Sequence, residues 1–148
     1  MKIIKAGIEH AEELAELFDA YRVFYKKASD KPGAVKFLSE RISNNESQIY
    51  IALDETGTMT SFVQLFPLFS STRMKKLWLL NDLFVRPAYR GKGISKALID
   101  RAKMLCIETR ACALMLETAK DNAIGNRLYP SVDFELDSDH NYYSWNAE

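Results

Sequence analysis

The chain has 148 residues, of which 47% are apolar and 27% charged, and its formal net charge is zero. This length suits a single domain over residues 1–148 with a sizeable core. The balanced charge gives no bulk reason to expect nucleic-acid binding. No apolar run approaches the roughly 18 residues of a membrane span, and the N-terminus lacks the apolar stretch of a signal peptide. We therefore expect a cytoplasmic protein that binds neither nucleic acid nor membrane.

The first half of the chain is predicted to place two helices between strands. Lys2–Lys5 predicts a short strand, and Ile8–Tyr25 carries apolar residues at helical spacing. Pro32 suits the first turn of a second helix. Gln48–Leu53 and Thr60–Phe69 are rich in the branched and aromatic residues that favour strands. The letters "DETG" predict a hairpin turn between these two strands.

A strand, a helix and a second strand are predicted next. Leu77–Val85 has strand composition, and Lys92–Glu108 carries apolar residues at spacings of three and four. Cys112–Glu117 is typical of a buried strand. Because a long helix connects these two strands, we expect them to be parallel with a right-handed crossover.

The C-terminal stretch is predicted to hold a short helix, Asp121–Tyr129, and two closing strands, Asp133–Asp137 and Tyr142–Trp145. The predicted order is therefore β α α β β β α β α β β. This order favours an α/β protein whose mixed sheet carries helices on both faces.

The two cysteines and two histidines give no metal-site pattern. Cys106 and Cys112 lack the CxxC spacing of zinc and redox motifs, and both lie in apolar stretches. His10 and His140 have no partner at a ligand spacing. We expect no metal and two reduced cysteines.

A basic, glycine-rich turn, "VRPAYRGKGISKAL", joins the strand Leu77–Val85 to the following helix. Main-chain N–H groups at a helix N-terminus are unpaired, and the helix dipole is positive there. Glycine lets an anion approach the backbone closely. The turn therefore suits a phosphate. The alternative is a tight turn whose basic side chains are merely solvated.

Two common phosphate motifs do not fit this turn. A P-loop needs Gly-Lys followed by Ser or Thr, but Gly93 follows Lys92, and Arg86 stands where the earlier glycine belongs. A dinucleotide fingerprint needs a third glycine where this chain has Lys96. A nucleotide-binding protein is therefore disfavoured.

The stretch "LFVRPAYRGKGISKAL" resembles the acetyl-CoA-binding motif of the GNAT superfamily of N-acetyltransferases. In that motif a strand ending in Leu-x-Val runs through a proline turn to Arg/Gln-x-x-Gly-x-Gly/Ala at a helix start. Arg90, Gly93 and Ser95 fall on the marked positions, with Ser95 replacing the usual Gly or Ala. Serine is small and keeps its N–H, and its hydroxyl could also bond a phosphate oxygen.

The later stretch "DNAIGNRLYPSVDFE" resembles the family's second motif, Asn-x-x-Ala-x-x-x-Leu-Tyr followed by Gly-Phe. The fitting residues are Asn122, Leu128, Tyr129 and Phe134. The departures are Gly125 in place of Ala, and Asp133 in place of the Gly before Phe. The two motifs stand in the family's order along the chain.

The resemblance implies the GNAT fold, a central mixed and mostly antiparallel sheet of about seven strands with four helices. It also implies transfer of the acetyl group of acetyl-CoA, the co-substrate, to an amine by direct attack. The pantetheine arm is expected to pair with the backbone of Leu83 and Val85 and to meet Asn122, which also suits a helix N-cap. Phe84, between the two pairing residues, is also expected at the cofactor site. The pyrophosphate is expected on the turn, at Arg90, Gly91, Lys92, Gly93, Ile94, Ser95 and Lys96.

The resemblance assigns the general acid to Tyr129, with a core tyrosine as the alternative. Related polyamine acetyltransferases carry Glu-Asp where this chain has Asn81-Asp82. Asn81 cannot act as a base but could hold a water. Asp82 would face away from Asn81 in a regular strand, whereas a bulge would re-aim it. A base, a structural acceptor and water-mediated deprotonation all remain open for Asp82.

The acceptor is expected to be a small amine, a polyamine-like molecule or a lysine side chain. In this family the first two helices and the last hairpin wall the acceptor pocket, which places Tyr21 and Tyr25 beside it, where aromatic rings would suit a cationic amine. The alternative is that the aromatic residues of this stretch belong to the core and that its acidic residues form a solvated helix face. The alternative to an active enzyme is a CoA-binding regulatory module with little or no turnover. The family resemblance also leaves a homodimer open.

Overall fold

A computed structural model describes all residues from 1 to 148. They form two compact units, Met1–Leu116 and Glu117–Glu148. A single domain over the whole chain stays a prediction. The elements of the first unit are β1 (Lys2–Lys5), a 3-10 helix (Ile8–His10), α1 (Ala11–Phe24), α2 (Lys31–Ser43), β2 (Gln48–Leu53), β3 (Met59–Ser70), β4 (Lys75–Val85), a second 3-10 helix (Pro87–Tyr89), α3 (Ile94–Glu108) and β5 (Leu114–Met115).

The five strands form one sheet in the order β1-β2-β3-β4-β5. The pairs β1–β2, β2–β3 and β3–β4 are antiparallel, and β4 and β5 are parallel. The sheet is therefore mixed and mostly antiparallel, and the predicted parallel pairing across the long helix is confirmed. The hairpin between β2 and β3 turns at the predicted "DETG".

Helices cover both faces of the sheet. Helices α1 and α2 bury Leu14 and Leu38 in one core with Ile49 and Ile51 of β2. Tyr50 lies between those two isoleucines, and neighbouring side chains of a strand point to opposite faces. The guanidinium of Arg101 on α3 lies 4.2 Å from the Tyr50 ring centre, so α3 packs on the opposite face.

Local sequence explains where α2 begins. Asp30 is the N-cap, and its side chain accepts a hydrogen bond from the main-chain N–H of Gly33 at 3.0 Å. Pro32 stands in the first turn, where a missing N–H costs nothing. The proline prediction for this helix is therefore confirmed.

The second unit contains α4 (Ala123–Ser131), and residues 132–148 form neither helix nor strand. The expected count of about seven strands is therefore wrong, because Asp133–Asp137 and Tyr142–Trp145 are not strands. The predicted strand Cys112–Glu117 is likewise reduced to Leu114–Met115. The four predicted helices are all present.

A local turn explains the loss of the two closing strands. The Asp137 carboxylate accepts hydrogen bonds from the Asp139 N–H at 2.9 Å and from the Tyr142 hydroxyl at 3.0 Å, and it contacts His140 Nδ1 at 2.8 Å. These bonds lower the pKa of Asp137 to about 2. Such side-chain bonds compete with a strand ladder for the backbone. No helix in the structure combines the length and apolar character needed to cross a membrane.

Candidate active site

Strand β4 has one long edge that β5 does not cover. Its pairing with β3 extends to Ser61–Val85, but its pairing with β5 consists of Trp78–Leu114 and Leu79–Met115. Beyond Leu79, β4 continues to the turn formed by residues 90–96, which we call the glycine turn. Over this length β3 is its one neighbour in the sheet. An extended molecule could add to such an edge as another strand would.

The register shows which main-chain groups face this edge. Arg86 donates its N–H to the Thr60 carbonyl. Because main-chain groups alternate in direction along a strand, the N–H and C=O of Phe84 also face β3. Leu83 and Val85 then direct their N–H and C=O groups to the other side. The main chain of Leu83 and Val85, but not that of Phe84, therefore lies on the uncovered edge of β4. Phe84 instead buries its side chain in the core.

A β-bulge interrupts β4 near the middle of its pairing. Asp82 lies opposite Gln64, whereas Leu80 lies opposite Leu65, so Asn81 is an additional residue without a partner on β3. The bulge places Asn81 at the surface and leaves Asp82 buried, with 4% of its surface exposed. A bulge of this kind re-aims side chains, and it sits where the uncovered edge begins.

Asp82 is held on both carboxylate oxygens. Gln64 Nε2 donates to one oxygen at 2.7 Å, and Asn81 Nδ2 donates to the other at 3.1 Å. Burial raises the pKa of Asp82, while hydrogen bonds from Gln64, Tyr21 and Asn81 lower it in part. At the far end of this network Ser47 Oγ donates to Gln64 Oε1 at 2.9 Å. The result is a buried polar chain from Ser47 to the bulge.

Sequence reasoning missed Gln64 and Ser47. The available signal was weak: Gln64 is an amide in an otherwise mostly apolar run, "SFVQLFPLF". A polar residue fully buried in such a run normally has a hydrogen-bonding partner. The partner could not be read from the sequence, because the bulge sets which residue of β4 faces Gln64.

Of the two predicted acceptor residues, the structure brings Tyr21 to the bulge. Its hydroxyl donates to the Asn81 carbonyl at 3.2 Å, and its ring meets Tyr25 edge-on at 4.9 Å. Tyr25 is exposed beside it. Asp19, two residues before Tyr21 on α1, is buried and accepts hydrogen bonds from Ser29 Oγ and the Asp30 N–H. These bonds lower the pKa of Asp19 and make it part of the scaffold.

The glycine turn forms an open main-chain cradle. Gly91 and Gly93 have φ angles of 75° and 78°, and a Cβ at either position would meet no atom within 4 Å. Gly93 is the N-cap of α3 and offers no side-chain cap, so the first N–H groups of that helix lack an intrahelical partner. The open space and these donors fit a phosphate group. The exposed cations around the cradle are Arg90, Lys92 and Lys96.

Arg90 also reaches back to the strand. Its Nε donates to the Val85 carbonyl at 2.9 Å, and its guanidinium lies 5.6 Å from the Phe84 ring centre. Arg90 therefore connects the uncovered edge of β4 to the glycine turn. Both features belong to the first unit.

Asn122 and Tyr129 belong to the second unit. Asn122 is the N-cap of α4: its Oδ1 accepts from the Gly125 N–H at 3.0 Å, and its Nδ2 donates to Thr118 Oγ1 at 2.9 Å. The N-cap interpretation is confirmed. Tyr129 lies in α4, with its ring 5.8 Å from that of Phe134 in a tilted, edge-on arrangement.

A mixed sheet with a bulged β4, an uncovered edge and a glycine turn before α3 defines an acetyltransferase of the GNAT class. The sequence matches the acetyltransferase (GNAT) family over residues 12–134. The chain therefore belongs to the GNAT family of acetyltransferases, and it is an acyltransferase.

Two curated relatives agree with this assignment. The chain is 41% identical over 147 residues to "Uncharacterized N-acetyltransferase YhfO" of Bacillus subtilis (strain 168), covering 99% of this chain and 98% of the relative. It is 37% identical over 121 residues to "Probable acetyltransferase" of Haemophilus influenzae, covering 82% of this chain and 83% of the relative.

Solved structures confirm the fold. The crystal structure of a probable acetyltransferase superposes with a TM-score of 0.95 at 36% identity, over 100% of this chain and 99% of the other. A ribosomal-protein-alanine N-acetyltransferase from Brucella melitensis superposes with a TM-score of 0.81 at 20% identity, over 99% of each chain. The second match shows the fold alone.

Proposed function

We propose that the protein transfers the acetyl group of acetyl-CoA to a primary amine by direct attack of the amine nitrogen on the thioester. The uncovered edge of β4, which begins at the Asn81 bulge and ends at the glycine turn, carries this proposal. Along β4 the strand-pairing edge is followed by the phosphate cradle, just as the pantetheine arm of acetyl-CoA is followed by its pyrophosphate.

Binding of acetyl-CoA is proposed to use main-chain groups for the most part. Leu83 and Val85 would pair with the amides of the pantetheine arm, as an added strand does. The N–H groups at the start of α3, including that of Ser95, would bind the pyrophosphate. Lys92 and Lys96 would add positive charge. Asn122 caps α4 with Oδ1 and donates one amide N–H to Thr118, so its proposed contact with the pantetheine arm would use the second N–H of Nδ2.

The amine must lose a proton before it can attack, because a lysine-like amine has a pKa of about 10.4. We assign the proton to Asp82, whose burial raises its pKa and so favours its protonated form. Both Asp82 oxygens accept hydrogen bonds, so the proton would reach the carboxylate through the Tyr21 hydroxyl or through a water held by Asn81. Acetyl-CoA supplies the activated acyl carbon.

The leaving thiolate needs a proton donor. A cysteine-like thiol has a pKa of about 8.5 and a tyrosine about 10, so a tyrosine remains protonated at neutral pH and can supply that proton. We assign this role to Tyr129, on the family motif that contains it.

The acceptor is proposed to be a small amine, a polyamine-like molecule or a lysine side chain. Tyr21 and Tyr25 present aromatic surface beside the bulge, and aromatic rings attract ammonium groups. The Asp19 carboxylate is already hydrogen-bonded to Ser29 and Asp30, between α1 and α2. Asp82 is therefore the buried carboxylate that remains for the acceptor at the bulge. The acceptor site is therefore mainly aromatic.

A panel of amines, assayed by release of free CoA thiol, tests the proposal. We expect turnover with at least one of three classes: small amines, polyamines and lysine-containing peptides. Calorimetric titration with acetyl-CoA, CoA and ATP accompanies it. Tight ATP binding without CoA binding would overturn the proposal, and CoA binding without any turnover would favour the non-catalytic module.

Tyr129→Phe tests the general acid within the same assay. We expect turnover to fall about 100-fold, in the range typical of acid catalysis, with little change in acetyl-CoA affinity. Tyr143→Phe is the matched control, because Tyr143 is 90% exposed and has no role in the proposed site. Unchanged turnover in Tyr129→Phe would remove Tyr129 from the mechanism.

A further inference from the structure

A tyrosine just before the glycine turn is hydrogen-bonded to the hairpin between β2 and β3. Tyr89 ends the 3-10 helix just before the turn, and its hydroxyl donates to Asp54 Oδ2 at 2.9 Å. Asp54 begins the turn between β2 and β3, and 35 positions separate it from Tyr89. Both residues are half-buried. This bond belongs to neither the β4 edge nor the bulge.

Asp54 is held rigidly enough to serve as an anchor. Its Oδ1 accepts from the Thr56 N–H at 2.9 Å, from Thr56 Oγ1 at 2.7 Å and from the Thr58 N–H at 3.0 Å. Its backbone also closes the turn, since Asp54 N–H donates to the Thr58 carbonyl. The hydrogen bonds from Thr56 and Tyr89 lower the pKa of Asp54 to about 2. The carboxylate is therefore charged at neutral pH, with Oδ2 directed to Tyr89.

Tyr89 links this anchor to the cradle. Lys92 Nζ lies 5.2 Å from the Tyr89 ring centre, and Gly91 and Gly93 follow within four residues. Arg86 forms a second attachment to the same hairpin, with its Nε donating to the Met59 carbonyl at 2.8 Å. The stretch between β4 and the cradle is therefore fixed at both ends.

We propose that Tyr89 is a positioning residue for the proposed acetyl-CoA site: its hydroxyl, held by Asp54, fixes the glycine turn in its phosphate-binding conformation. This inference rests on the proposed function. Glycines have the widest backbone freedom of any residue, so an unattached turn with Gly91 and Gly93 would have to be ordered when the ligand binds. A turn that is already fixed avoids that cost and binds more tightly. Tyr89 need not touch the ligand.

Tyr89→Phe removes the hydroxyl and keeps the ring under Lys92. We expect the calorimetric Kd for CoA to rise about tenfold, as for loss of one hydrogen bond to a charged acceptor. Binding of pantetheine, which lacks the phosphates, should not change. Amide hydrogen exchange in residues 90–96 should accelerate in the free protein. At saturating acetyl-CoA, kcat should stay at the wild-type value while KM rises.

Two further variants separate this role from general stability. Thr56→Val removes another donor to Asp54 but leaves Tyr89 attached, so CoA affinity should remain near the wild-type value. Asp54→Asn weakens the bond from the other side, and its effect on CoA affinity should largely vanish in the Tyr89→Phe background. If Asp54→Asn and Tyr89→Phe weaken CoA binding additively in the double variant, the proposal is contradicted.

Three outcomes overturn the inference in distinguishable ways. If wild-type protein binds CoA and Tyr89→Phe binds it equally well, the positioning role is wrong and the proposed function stands. If wild-type protein does not bind CoA, the proposed function is wrong and this role falls with it. Equal loss of CoA and pantetheine binding would indicate general damage to the site and would also overturn the inference.

Discussion

At Asp82, burial and hydrogen bonding act in opposite directions. Burial raises the pKa of the carboxyl, and hydrogen bonds from Gln64, Tyr21 and Asn81 lower it. Sequence reasoning could nominate Asp82 and state that a bulge would re-aim it. It could not choose between a base and a structural acceptor, because that choice depends on Gln64, which lies 18 positions earlier.

Asp82→Asn tests both the burial and the proposed base. A raised folded-state pKa means that ionised Asp82 lowers the free energy of unfolding at neutral pH, and that this cost disappears as the pH falls towards its ordinary value of 3.8. Asparagine does not titrate. Relative to Asp82→Asn, the wild type should therefore gain stability between pH 7 and pH 4.

Denaturant unfolding of both proteins over that pH range measures the difference. The exposed Asn81 can turn its amide to match the new side chain, so Asp82→Asn should still fold at pH 7. Its turnover should fall about 100-fold, as for loss of a general base. A stability difference that does not vary with pH would contradict the raised pKa. Unchanged turnover would leave Asp82 with a structural role alone.

At the scale of elements, spacing and turn chemistry explain what the sequence could predict. Helical periodicity located α1 and α3, and Pro32 located the start of α2. A bulge beside Asp82 could be named from the sequence only as a condition, because its formation depends on the register between β3 and β4. The prediction of two closing strands was wrong. It relied on the strand-like composition of "DFELD" and "YYSW", whereas the Asp137 side chain accepts a hydrogen bond from the backbone between them and forms a local turn.

The two glycines Gly93 and Gly57 allow an element-scale test of the cradle. Both have positive φ, 78° and 87°, and both have open space where a Cβ would lie. Alanine costs about 1–2 kcal/mol in this left-handed conformation. Gly93→Ala and Gly57→Ala should therefore lower the free energy of unfolding by similar amounts, measured by denaturant titration.

CoA affinity should distinguish the two variants. Gly93 caps α3 at the proposed phosphate cradle, so relaxing the strain there should move the N–H donors and weaken CoA binding about tenfold or more. Gly57 lies in the turn between β2 and β3, where the strain is the same; its substitution reaches the cradle only indirectly, through Asp54 and Tyr89, so it should weaken CoA binding less than Gly93→Ala does. Equal CoA affinity in both variants would argue that the cradle does not bind the ligand.

At the scale of the whole molecule, the GNAT assignment is consistent with every level of structure. The family match covers residues 12–134, which includes the bulge, the glycine turn and Tyr129. The acceptor is the part that sequence could not supply, because general aromatic and charge patterns do not identify one amine. The homodimer also stays a prediction. Apolar residues at the exposed C-terminus motivate it: Leu136, Tyr142, Tyr143 and Trp145.

Trp145 provides the test of that homodimer. Trp145 is 87% exposed, whereas the second tryptophan, Trp78, is 4% exposed. Acrylamide should therefore quench the Trp145 part of the wild-type fluorescence, and Trp145→Phe should show no such quenched part. Association of two copies through the apolar C-terminal residues would bury Trp145, because large exposed apolar groups favour removal from water.

Quenching is measured over a range of protein concentrations, with mass by sedimentation at each one. We expect the accessible fraction to fall as the protein concentration rises and as the mass moves from one copy to two. Trp145→Phe should show no such concentration dependence in its fluorescence, since Trp78 is buried in either state. A single-copy mass with constant quenching would contradict the homodimer. A two-copy mass with Trp145 still accessible would place the interface elsewhere on the molecule.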